Sequence, residues 1–485
     1  MNPALLVQAA SKEDIAVTLK YAKAQKIAVA IRSGGHQYCG ASSTQAPNIQ
    51  LDLRYTFRDP NDDRNLFEGL DGKTYVRTSV SWTLGEFNGW LGEQQAFVPH
   101  GQCVNVHLGG HVQTGGYGQL GRSFGLFADH VISIEIVDHN GDTKEVTRSS
   151  DLEMFHALLG GSPGNLGVIT HFTLEVYRDK DYPESRGLKA IYIYKPETLQ
   201  RLLTLLATMS DNPDFPRNYD FCISVLSSYF DLTSIFPVSE LDKVIKKEFP
   251  DVFGKDESKF WPRSIIVYAQ WVPFSPNDKP DDSWFKAIAK GDLLGAEVKI
   301  KPMSELTAQW IFRNIREFDL PYLKNVHLTN STTLVKDNWP KWITKRIHEI
   351  VEPDLNGCHL CVQIQCIGGK NSQFAVNANN GTAFSWRDST VCCVLDSFYR
   401  TDAALKICTQ WHKTNDNEGV GPNGVFSKQD RRALWGSFGN FDLDAVWDKY
   451  FESKEKYDRL RAARKKADPD GVFTPNTFCV KALDG

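Results

Sequence analysis

The chain has 485 residues, of which 41% are hydrophobic and 12% aromatic, and a formal net charge of -4. That length exceeds what one hydrophobic core holds, so two domains, or one with a large insertion, are expected. The small negative charge, without blocks of like sign, excludes a nucleic-acid surface, and no apolar run approaches the roughly 18 residues that cross a bilayer. The opening residues are too short and uncharged for a signal peptide, so the expectation is an intracellular protein, or a secreted one if a leading segment has been removed.

Ser11, with Asp14 three residues on and Ile15, Leu19 and Ala22 at helical spacing, predicts a capped amphipathic helix. Residues 27–31, five apolar side chains before a glycine pair, predict a buried strand, which puts His36 just past a strand end. Further strands are expected at 49–53 and 74–82, and a helix at 83–94. Residues 131–137 alternate as a half-buried strand, and Asn140-Gly141 closes a hairpin into 143–147. A helix at 151–159 leads through a glycine cluster into a strand at 168–177. Beyond about residue 179, strands at 188–194 and 219–226 flank a helix at 198–209. A last helix at 448–466 ends where Pro469 forbids continuation.

Gly116-Tyr117-Gly118-Gln119-Leu120-Gly121 satisfies the dinucleotide fingerprint, with Asp138 near the expected distance. The strand that must precede it is replaced by glycine-rich sequence, so Asp138 is assigned to the hairpin turn instead. Three glycine clusters, at 33–35, 109–118 and 160–167, are better explained as backbone nests converging on one large anionic cofactor. Cys358-His359-Leu360-Cys361 lacks a second pair for zinc and reads as core thiols; no metal site is expected. Composition and periodicity reach a cofactor domain with two reactive candidates, His36 and Cys103, and stop there.

Arg32-Ser33-Gly34-Gly35-His36, Gly101-Gln102-Cys103-Val104-Asn105-Val106, Gly109-Gly110-His111 and Gly115-Gly116-Tyr117-Gly118 resemble the signature of the berberine-bridge-enzyme-like oxidoreductases of the vanillyl-alcohol-oxidase-type flavoprotein superfamily. Gly164-Asn165-Leu166-Gly167-Val168-Ile169, residues 382–387, and Asp468-Pro469 through Phe473 with Asn476 extend the resemblance over nearly the whole chain. It implies an α+β, two-domain FAD-binding fold, with a substrate domain built on an antiparallel sheet covered by helices. The divisions expected are an FAD-binding domain at 1–178, a substrate-binding domain at 179–430, and a C-terminal segment at 431–485 that returns to the first.

The same resemblance implies FAD bound through two covalent links, His36 to the 8α-methyl carbon and Cys103 to ring carbon C6. The cofactor-binding set it implies is Arg32, Ser33, Gly34, Gly35, His36, Gln37, Gln102, Cys103, Val106, Gly109, Gly110 and Thr114, with Gly115, Gly116, Gly118, Gly164, Asn165, Gly167, Val168 and Asn476. Val106 matches a small gatekeeper position associated with oxygen access, which favours an oxidase. The expected reaction moves a hydride from an alcohol, sugar or amine-type C–H donor to the flavin and reduces oxygen to hydrogen peroxide. A flavoprotein dehydrogenase with another acceptor, or a flavinylated protein with lost catalysis, are the alternatives.

The usual tyrosine and carboxylate of sugar-oxidising members are replaced by Phe438 or Phe441 and Gln365. Asp396 and Tyr399, on an apolar strand, stand as candidate catalytic groups, an acid there requiring a partner or a proton. The partners expected are a small-molecule substrate and molecular oxygen, with no nucleic acid, no membrane, and a monomeric chain.

Overall fold

The computed structural model describes residues 2–227, 263–291, 293–309, 320–351 and 357–483. The helix Lys12–Gln25 begins where the Ser11 side chain accepts the Asp14 amide, buries Ile15, Thr18, Leu19 and Ala22, and ends at Lys26 in a left-handed conformation. It packs on a small parallel sheet in which Ile49–Asp52 lies between Leu5–Gln8 and Val29–Arg32. A second sheet is antiparallel, its strands Arg64–Glu68, Thr74–Ser79, Val168–Arg178, Val131–Val137 and Thr143–Thr147 lying in that order. Asp138 accepts the Asn140 and Asp142 amides and pairs with Lys144, so it is the hairpin-turn residue expected from sequence.

The strands after Arg178 build one large antiparallel sheet. Its order is Leu293–Ile300, Arg186–Ile193, Ser264–Trp271, Tyr219–Leu226, Cys358–Cys366, Val391–Tyr399, Tyr322–Thr329 and Arg431–Arg432. The last short strand carries this sheet past residue 430, where sequence reading had placed the start of the C-terminal segment.

Successive side chains of a strand point to opposite faces, and here each face is buried against a different neighbour. Ile223, Val225, Val362, Ile364, Cys393 and Leu395 face the amphipathic helices Pro196–Asp211, Trp339–Val351 and Asp402–Gly419. The alternate positions Val326, Leu328, Cys392 and Val394 belong to the core formed with the N-terminal sheets. Tyr268, Leu226 and Phe398 join Phe97 and Phe124 in an aromatic cluster on the same side. Cys358 and Cys361 fall on opposite faces, which removes them as a chelating pair. Among the described residues, no helix is long and apolar enough to cross a membrane.

The C-terminal chain runs back across the N-terminal domain. The helix Lys454–Ala467 begins at Ser453, which caps the Lys456 amide; Trp447–Tyr450 is a separate turn, so the single helix expected at 448–466 is interrupted. Asp468 then accepts the Val472 and Phe473 amides and pairs with Arg464.

Candidate functional site

The glycine pair ends the Val29–Arg32 strand and throws His36 into a cavity of about 190 Å³ between the N-terminal loops and the large sheet. A side chain at Gly34 would lie 2.8 Å from the His36 ring and 2.9 Å from Nδ1 of His107, so only glycine lets the two loops touch. His36 Nε2 lies 3.1 Å from the Asn105 carbonyl oxygen, and His107 Nδ1 lies 3.1 Å from the same oxygen. A carbonyl can only accept, so His36 donates to it through a proton on Nε2.

Cys103 sits in the adjoining turn, closed by the Val106 amide on the Cys103 carbonyl at 3.1 Å. His111 holds the front of that turn by accepting the Gly101 amide on Nε2 at 3.2 Å. Burial lowers the His111 pKa to about 3, which keeps the ring neutral and Nε2 able to accept. The two nucleophiles, 67 positions apart in sequence, thus face one cavity.

Most of the residues expected to bind cofactor line this cavity. Ser33, Gly34, Gly35, His36 and Gln37 come from the first loop, and Gln102, Cys103 and Val106 from the second. Gly109, Gly110 and Thr114 belong to the short helix Leu108–Gln113 and its C-cap, so part of the expected loop nest is helical; Gly116, Gly164 and Gly167 complete the set.

Arg32, Gly115, Gly118, Asn165, Val168 and Asn476 do not line it. Arg32 pairs with Asp52 at 3.0 Å beneath the loop. A side chain at Gly118 would lie 1.7 Å from the His100 carbonyl oxygen, so this glycine serves loop packing, and Gly115 is confined by Tyr117 and Phe384. Asn165 donates to the Phe473 carbonyl at 2.8 Å, and Val168 is core. Asn476 Nδ2 donates to the carbonyls of Gly40, Ala41 and Ser43, tying down the loop that follows His36.

The far wall is the polar stripe of the large sheet, Lys324, Gln363, Gln365 and Val394, joined by Trp435 and by Tyr38 from the first loop. Asp396 lies directly across from Lys324 in the strand register, and the two side chains pair at 3.0 Å. Asp396 is therefore a buried acid with a buried cation partner, one step behind the cavity. Tyr399 is three residues further along, on the opposite face with the helix-side core, and is excluded from the site by strand alternation. Sequence reading missed Lys324 and Tyr38. The available signal was a lysine inside the apolar, alternating run 322–329. Phe438 and Phe441 meet edge to face, with ring centroids 5.7 Å apart, and are about half exposed.

The lining suits a large anionic cofactor. The position of a Gly110 side chain is open space, and His107 Nε2 is buried at the wall without a hydrogen-bond partner, awaiting a donor. Among the described residues, no group of three or more His, Cys, Asp or Glu could hold a metal ion.

The profile of an FAD binding domain matches residues 3–147. The carbohydrate oxidase from Microdochium nivale superposes over 100% of this chain and 93% of its own with a TM-score of 0.72 at 16% identity. The glucooligosaccharide oxidase of Acremonium strictum, a protein with a 6-S-cysteinyl, 8α-N1-histidyl FAD, gives a TM-score of 0.70 at 16% identity, covering 100% of this chain and 93% of that one. The chain thus has the α+β fold of these oxidases, and its residues 3–147 are similar to an FAD binding domain.

In sequence the chain is similar to the berberine bridge enzyme-like proteins over part of its length. Berberine bridge enzyme-like 12 of Arabidopsis thaliana is 35% identical over 203 residues, which is 39% of this chain and 37% of the relative. The match thus spans well under two thirds of that relative's length.

Proposed function

We propose that the protein is an oxidase with FAD attached at His36 Nδ1 and Cys103, taking a hydride from a C–H next to oxygen or nitrogen and passing the electrons to molecular oxygen. The observation that carries this reading is the single cavity walled on one side by His36, Cys103 and the glycine loops, and on the other by the large sheet. FAD supplies the hydride acceptor, and two covalent links retain it while the cavity is open to substrate. The chain supplies placement. Tyr38 lines the cavity, and Lys324 Nζ lies over its ring, 4.4 Å from the centroid, a cation–π contact that fixes the ring. Tyr38 is assigned to orient the donor in the cavity, and Lys324, held by Asp396, positions the Tyr38 ring.

Acid precipitation tests the attachment: flavin absorbance that stays with the denatured chain, and maps by mass spectrometry to peptides holding His36 and Cys103, is the expected result. Flavin released to the supernatant refutes it. Peroxide release in air tests the acceptor. Val106 lines the cavity as a small side chain, which supports oxygen access; V106L is expected to slow reoxidation about tenfold, or about 1.4 kcal/mol of barrier, with reduction unchanged.

A second reading is favoured by one observation: among the described residues, no Asp or Glu lines the cavity. A flavinylated protein without turnover would show covalent flavin that no alcohol, sugar or amine bleaches.

A further inference from the structure

Two of the cysteines meet away from the cofactor cavity, on the helix-covered face of the large sheet. Cys358 opens the strand Cys358–Cys366 and turns toward the helix Asp402–Gly419, which carries Cys408. Cys358 Sγ lies 3.6 Å from the carbonyl oxygen of Ala404, one helical turn before Cys408, so it reaches the helix at the level of the second thiol. Cys408 Sγ lies 3.7 Å from the carbonyl oxygen of Phe398, next to Tyr399, which stands directly across from Cys358 in the sheet register. The sulfurs thus approach each other from the two sides of one seam, and the thiols share a hydrogen bond. Ser397 reaches Cys408 as well, its Oγ being also 2.9 Å from His412 Nε2. The hydrogen bond from Cys358, joined by that from Ser397, holds the Cys408 thiol below its ordinary range despite burial.

We propose that Cys358 and Cys408 are an oxidation site that closes to a disulfide and staples the helix Asp402–Gly419 to the large sheet. This goes beyond the oxidase reading and does not rest on it. The oxidant is a peroxide, small enough for a pair of which Cys358 is 6% and Cys408 0% exposed. The Cys408 thiolate attacks one peroxide oxygen and breaks the O–O bond; the leaving hydroxide takes the thiol proton as water, and Cys408 becomes a sulfenic acid. Cys358 then attacks that sulfur, forming the S–S bond and breaking the S–O bond, and its proton leaves with the hydroxide as a second water. Two thiols give up two electrons in all, and one peroxide is reduced to two waters. The link closes a loop between residues 50 positions apart, which removes freedom from the unfolded chain and not from the folded one.

The test uses the purified full-length protein, reduced, freed of reductant and treated with hydrogen peroxide. It is then denatured in an alkylating reagent and digested without reduction. The expected product is a peptide pair joining Cys358 to Cys408, at least about fivefold more abundant than any other cysteine pair and lost on treatment with dithiothreitol. The linked protein should melt at least about 2 °C higher than the reduced one. C358S should give no such link and should leave Cys408 to oxidise past the sulfenic stage. The map of the unmodified protein decides the matter even where that variant fails to fold. Alkylation of both cysteines after peroxide overturns the proposal, as does a link no more abundant than those of other pairs, or a sulfinic acid at Cys408 of the unmodified protein without a link. A link that leaves the melting temperature unchanged overturns the staple.

Discussion

His36 Nε2 lies 3.1 Å from the carbonyl oxygen of Asn105, two residues beyond Cys103. This contact joins two segments with no sequence proximity and engages Nε2, leaving Nδ1 as the nitrogen assigned to the flavin under the proposed function. The acceptor is backbone, so N105A should leave flavin attachment intact, whereas H36A and C103A should each retain one covalent link. The double variant H36A/C103A should release all its flavin in acid. Intact-mass spectrometry of the four variants checks the pattern.

The approach of the two loops at Gly34 has its own signature. A methyl group there would meet the His36 ring at 2.8 Å and the His107 amide nitrogen at 3.0 Å, and a backbone contact cannot swing aside. G34A is expected to lower the fraction of chain carrying flavin through His36 several-fold while the circular dichroism spectrum stays native. Peptide mapping gives the fraction.

Asp129 and Arg387 tie the two domains together in full burial, with Nη1 to Oδ2 at 3.0 Å and Nη2 on the other carboxylate oxygen. Burial would raise the Asp129 pKa, but the Arg387 charge and hydrogen bonds overcome it and hold the carboxyl below its ordinary range. D129N leaves the guanidinium uncompensated and should cost about 3–5 kcal/mol. Urea denaturation reads the loss as a lower midpoint.

Acid should act through the cluster around Asp416 and Asp430. Burial alone would raise both, yet hydrogen bonds from His327 and the charge of Arg432 bring both below the usual carboxylate value. A depressed folded pKa gives stability that is present above the unfolded value of about 4 and is lost as pH falls through and below it. Melting temperature should therefore drop steeply below about pH 4, and D430N should flatten that drop while lowering stability at neutral pH. A pH series of thermal melts from 7 to 3 decides it.

Strand periodicity, turn residues and caps were local enough to read. Ser11, the 140–141 turn and the alternating run at 131–137 each carry their structural consequence within a few residues. The segments around His36 and Cys103 were legible as a pair only through their resemblance to a known family; their glycines by themselves mark close approaches of the chain. The rest depends on pairing across long separations. Lys324 and Asp396 become partners only through strand register, which the sequence of neither strand specifies alone. Parity could still have separated Asp396 from Tyr399, since residues three apart on a strand face opposite ways. Asn165 and Asn476 sit in motif positions but serve the path of the C-terminal chain, a role visible only once Phe473 and the 40–43 loop are in place.

The grip of Asn476 on three carbonyls of the loop after His36 has a consequence for biosynthesis. The His36 loop is made early, but the residue that ties down its continuation lies 440 positions later. The loop therefore takes its final shape only once Asn476 has been made. Nascent chains halted before residue 476 should emerge colourless even with free FAD in excess, and yellow protein should form only from chains that extend past it.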